Sequence, residues 1–189
     1  MGEGKTNKSE KEDLIERILD VELDMFVNVP TDEPTKCREN LGAFRLVRGS
    51  GFEVWSHEAL ESYFEDLKIA VREKRNLMTL KYARMGNQIE CLNNNPLIGK
   101  IVEIEKESQE QVRRKYPHLM SHDKVGTGVT YLEAELETYS DRTLELYYAN
   151  VLQAKQAGRN LPEEVYSSMF KKQGFYSLKE LEKAKSDSS

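Results

Sequence analysis

Apolar residues recur at three- and four-residue intervals along most of the chain, the spacing that gathers them on one side of an α-helix. Leu14, Ile15, Ile18, Leu19, Met25 and Phe26 form the first stripe, entered through a capping box of Ser9 and Glu12 and closed by Pro30. Prolines and polar turn formers predict a loop over residues 30–40, after which Phe44, Val47, Phe52 and Trp55 suggest a shorter helix interrupted around Gly49-Ser50-Gly51. Ser56 caps a long third helix whose apolar face is Leu60, Tyr63, Leu67 and Ala70, and the turn at Arg75-Asn76 leads into a fourth through Tyr82 and Met85. Ser177 and Glu180 form a further capping box for a last short helix. No stretch alternates with period two over a useful length, so the fold class is all-α.

The pattern occurs twice. Displacing the chain by 84 positions lays Leu60, Glu61, Tyr63 and Ala70 over Leu144, Glu145, Tyr147 and Ala154. It also lays Arg75, Asn76, Leu77, Tyr82 and Met85 over Arg159, Asn160, Leu161, Tyr166 and Met169. Displacing it by 83 lays LIERILDVE, starting at Leu14, over LIGKIVEIE, starting at Leu97. Two copies are too few for a solenoid. The expectation is a compact bundle of about eight helices built from two pseudo-twofold-related repeats. The repeats cover about 10–90 and 94–173 within one all-helical domain, 9–189. A flexible polar leader (1–8) precedes them and a short helix (178–185) follows.

Composition narrows the function classes. The chain has 189 residues, 32% charged and 38% hydrophobic, with a net charge of -5. That acidity argues against broad nucleic-acid binding, and the basic cluster Arg113-Arg114-Lys115 reads as a solvated helix face. No apolar run is long enough to cross a bilayer. Cys37 and Cys91 lack a C-x-x-C spacing and read as small buried hydrophobes in a reducing cytoplasm. Gly4-Lys5-Thr6 has the ending of a phosphate-binding loop without its first glycine.

Glu22 is the foremost candidate for chemistry, because its helical neighbours Ile18, Leu19, Met25 and Phe26 place it on an apolar face. Glu105 is its counterpart in the second copy, with Ser108 and Gln109 making one flank polar. A carboxylate held there needs a cation, a proton or a metal. Arg75 and Arg159 are the candidate carboxylate or anion partners, and Asn76 and Asn160 are structural helix caps, Asn160 through an N-x-x-E capping box with Glu163. Glu22, Glu53, Glu105 and Glu137 would together make four related acids about one centre, as in a dinuclear metal site, although the chain has no E-x-x-H segment. Glu53 and His57, and His118 and His122, share an i, i+4 spacing that is weak as a ligand signal.

The segments ILDVELDMF (from Ile18), FRLVRGSGFEVWS (from Phe44), SYFEDL (from Ser62), RNLMTLKYARM (from Arg75), Tyr116-Pro117 and TYLEAELETYSDRTLELY (from Thr130), with Cys37, resemble domain-of-unknown-function family 4125 across nearly the whole chain. The resemblance implies a bacterial cytoplasmic helical protein, with Gln usual where this chain has Arg38 and Gly51. It implies no reaction, cofactor or catalytic residue.

Two functional expectations follow. One is a helical module that binds a protein partner or a small ligand, its Glu and Arg residues organising the bundle. The other is an enzyme or metal protein whose central Glu/Arg site acts on an anionic small molecule.

Overall fold

Side-chain caps set the starts of most helices. The computed structural model describes residues 3–30, 40–120 and 130–187, with side chains from residue 10 onward. Among these residues there are nine helices and no strand: α1 (Glu3–Val27), α2 (Leu41–Phe52), α3 (His57–Arg72), α4 (Leu77–Met85), α5 (Leu97–Lys115), α6 (Tyr131–Leu136), α7 (Asp141–Gln156), α8 (Leu161–Lys172) and α9 (Leu178–Ser186). Ser56, Asn76, Ser140, Asn160 and Ser177 each accept a hydrogen bond from the backbone N–H three residues on, satisfying a donor that the first turn leaves open.

Three local expectations are corrected. α1 begins at Glu3, so Ser9 lies inside the helix and the leader is helical from that point. α2 runs unbroken through Gly49-Ser50-Gly51, where burial of Gly49 and Ser50 overrides the weak helix propensity of glycine. Asn160 caps α8, but the Glu163 carboxylate accepts from Lys115 Nζ (2.7 Å) and Tyr116 Oη (2.8 Å). The complete capping box stands at α6, between Thr130 and Glu133.

α1 packs on α2, α3 and α4, and α5 packs on α6, α7 and α8. α3 and α7 lie side by side, α2 meets α8, and α4 meets α6. The main core runs through all eight of these helices, with Ile18, Leu60, Leu67, Ile101, Leu136 and Leu144 fully enclosed. At its centre Trp55 stacks on Tyr147 with centroids 4.3 Å apart, and Tyr63 lies 4.8 Å from Tyr139. A second, smaller cluster of Val112, Tyr116, Met120 and Leu178 secures α9. There Glu182 accepts from the backbone N–H groups of His118 and Leu119, each at 2.9 Å. Among the described residues no helix is long and apolar enough to cross a membrane.

The two helical glycines of α2 that bracket Ser50 differ in their surroundings. A Cβ on Gly49 would meet Leu19 Cδ1 at 3.3 Å, whereas a Cβ on Gly51 would meet nothing within 4 Å. Gly51→Ala is therefore expected to stabilise the protein by about 0.5–1 kcal/mol through helix propensity, and Gly49→Ala to lose that gain to crowding. Urea midpoints of the two variants check the contrast.

Candidate functional site

The apolar face of α1 carries Glu22 into the interior, where it is 0% exposed. Its carboxylate meets Arg48 of α2, not Arg75 or Arg159. Arg48 Nε donates to Oε2 at 2.8 Å, a second guanidinium nitrogen donates to Oε1, and Tyr63 Oη of α3 donates to the same Oε1 at 2.6 Å. The guanidinium also reaches Glu135 Oε1 of α6 at 2.7 Å, and Glu135 accepts from Tyr139 Oη at 2.9 Å. Lys81 of α4, 1% exposed, places Nζ 3.6 Å from Glu135 and donates to Tyr131 Oη at 2.6 Å. Two cations thus stand against two carboxylates.

Burial opposes the charge on Arg48, and Glu135 and Glu22 more than reverse it, so the guanidinium is held well above its ordinary range. Burial would likewise raise the Glu135 carboxyl, but Arg48 and Lys81 outweigh it and bring it to about 2. For Lys81 burial prevails over the pull of Glu135 and lowers the ammonium pKa. Burial also lifts the Tyr63, Tyr139 and Tyr147 phenols well above their usual range, so each remains a neutral donor.

Glu105 has a different setting. It accepts a hydrogen bond from Tyr147 Oη at 3.0 Å, and no cation pairs with it among the described residues. Burial raises its carboxyl above the usual range, against the opposing effect of that hydrogen bond. It lines a cavity of about 350 Å³ framed by α2, α5, α6, α7 and α8, whose walls include Arg48, Trp55, Glu135, Tyr139, Val165 and Tyr166. Arg48 and Glu135 connect this cavity to the buried ion network.

The other predicted residues lie apart from it. Glu53 is exposed and pairs with Lys172 Nζ at 2.5 Å while accepting from Ser168 Oγ. Glu137 is buried and accepts from Arg84 Nε (2.7 Å) and Leu92 N–H (3.2 Å). The four acids therefore do not surround one centre. Among the described residues no group of three or more His, Cys, Asp or Glu could hold a metal ion.

Arg75 pairs locally with Glu73 (2.7 Å), and Arg159 Nε donates to Glu164 (2.8 Å), both on the surface. Asn76 and Asn160 do more than cap, since each also donates through Nδ2 to a carbonyl, of Met25 (2.7 Å) and Ser108 (2.9 Å) respectively. His57 lies 3.4 Å from Glu61, and His118 Nδ1 2.6 Å from Glu182. Cys91 is exposed and free, correcting the expectation of a buried thiol. Cys37, Arg38 and His122 lie outside the described residues.

Arg48, Lys81, Tyr131 and Glu135 were not among the predicted site residues, yet the spacing that singled out Glu22 also marks two of them. Arg48 falls four residues from both Phe44 and Phe52, and Lys81 four from Leu77 and Met85.

The chain belongs to the family described as Protein of unknown function (DUF4125), whose model matches residues 12–183. No match is found among curated proteins or solved structures.

Glu22 and Glu105 should respond oppositely to neutralisation. Glu22→Gln leaves Arg48 with a buried charge only partly compensated and is expected to cost about 3–5 kcal/mol. Glu105→Gln removes a carboxylate that is disfavoured by burial. It is therefore expected to raise the melting temperature at pH 7–8, with the difference closing as pH falls below about 4, where the carboxyl becomes protonated in the unfolded chain as well as the folded one.

Glu135 has the reverse sign. With a folded pKa of about 2 against an unfolded value of about 4.3, it contributes roughly 3 kcal/mol above pH 5, and this is lost as pH falls toward 2. Urea titrations at several pH values should show the gap between wild type and Glu135→Gln narrowing on acidification.

Proposed function

We propose that this family member binds a small organic molecule in the cavity lined by Glu105, Trp55, Tyr147 and Tyr166. The observation that carries this reading is an acid without a cationic partner among the described residues, in the wall of a cavity of about 350 Å³ otherwise largely aromatic and aliphatic. Ligand sites of about 300–1,000 Å³ combine such walls with a few polar groups that fix orientation. A concave site of this size favours a small molecule over a protein partner.

We further infer that the chain arose from two related halves packed about a pseudo-twofold axis. The support is a set of corresponding contacts. Tyr63 donates to Glu22 as Tyr147 does to Glu105, and Asn76 reaches the Met25 carbonyl as Asn160 reaches that of Ser108. Arg84 donates to Glu137 as Ser168 does to Glu53. The aromatic pair Trp55–Tyr147 corresponds to Tyr139–Tyr63. On this reading the halves form one helical domain, and the free thiol of Cys91 suits the reducing cytoplasm of a bacterial cell.

A thermal-shift screen of the purified chain against a chemically diverse fragment set, neutral and charged, tests the binding reading. Fragments that occupy the cavity are expected to raise the melting temperature of wild type and not of Val165→Phe, whose larger side chain intrudes on the lining. A screen without hits, or with hits indifferent to Val165→Phe, overturns it.

A further inference from the structure

The two related glutamates meet different surroundings. In the first half Glu22 is neutralised from within the chain by Arg48, while Lys81 stands beside Glu135. Counting 84 positions onward, Leu132 occupies the place of Arg48 and Val165 that of Lys81, and both line the cavity beside Glu105. Both cations have thus been replaced by shorter apolar side chains, while the acid and its tyrosine donor are kept. The Glu105 carboxylate retains acceptor capacity beyond the bond from Tyr147. Arg48, which also lines the cavity, is already engaged by Glu22 and Glu135 and so is poorly placed to receive an anionic ligand.

We propose that the ligand carries a guanidinium or alkylammonium group, which pairs with Glu105 as Arg48 pairs with Glu22, its aliphatic stem lying along Leu132 and Val165. This rests on the small-molecule reading above and on the correspondence of the two halves. Trp55 and Tyr147 are also suited to such a ligand, because aromatic rings attract organic cations. Burial, which raises the Glu105 carboxyl, is the cost that a paired cation offsets.

Isothermal titration of the full chain with n-butylguanidine, n-butylamine, n-butanol and butyrate tests the assignment. The two cations are expected to bind about tenfold or more tightly than butanol, and butyrate more weakly than either. Glu105→Gln is expected to abolish that preference, bringing the cations to within about threefold of butanol. Leu132→Arg, which restores the chain's own cation, should exclude all four.

Equal affinity for butanol and the amines, or a cation preference that survives in Glu105→Gln, overturns the cation assignment and leaves the small-molecule reading standing. No binding of any probe, together with a fragment screen without hits, overturns both. Fragment hits with no binding of the butyl cations overturn the cation assignment alone. Circular dichroism establishes that each variant is folded, and if Leu132→Arg is not, Glu105→Gln decides.

Discussion

The helices around Glu22 are arranged under one constraint: a carboxylate removed from water must be neutralised where it lies. Desolvating such a group costs several kcal/mol even after the protein relaxes. Arg48 meets it with two nitrogens in a planar fork, and the same guanidinium reaches Glu135. Through these contacts, with Tyr63 and Lys81 added, α1, α2, α3, α4 and α6 are held to one geometry. A purely apolar centre could supply comparable stability but would tolerate more arrangements, since hydrophobic contact has little directionality.

The aromatic residues sustain this arrangement. Phe52, Trp55, Tyr63, Tyr139 and Tyr147 form a contiguous cluster, and two of its phenols donate to acids of the ion network. By excluding water they strengthen each charged contact and make any unpaired charge more costly. Four of the five also line the cavity, so the surroundings of the Glu22–Arg48 pair continue to Glu105, which has no cationic partner among the described residues.

Helix positions were legible because local rules govern them. Ser56, Asn76, Ser140, Asn160 and Ser177 act at a distance of three residues, within the span of a short motif. The continuity of α2 was less legible, since Gly49 and Gly51 favour a break locally and the contact of Gly49 with α1 appears only in three dimensions. The burial of Glu22 followed from its apolar neighbours, but its partner did not. Arg48 lies 26 residues away in sequence, whereas the more conspicuous Arg75 and Arg159 find acids close to themselves on the surface. The family pattern was recognisable from its motifs and is shown by the match over residues 12–183. It carried no information about which glutamate keeps a cation, a property of side chains brought together from α2, α4, α6 and α8.

The crossed packing of α2 on α8 and α4 on α6 also bears on the order in which the molecule assembles. Tyr63 and Glu22 are 41 residues apart, and Tyr147 and Glu105 are 42, so those bonds need only modest loops to close. Ser168 and Glu53 are 115 apart, and Lys172 and Ser50 are 122. Loop entropy makes the longer closures slower, which places them after the pairings of α1 with α3 and of α5 with α7. During synthesis the face of α2 that receives α8 therefore stays uncovered until the chain through α8 has left the ribosome.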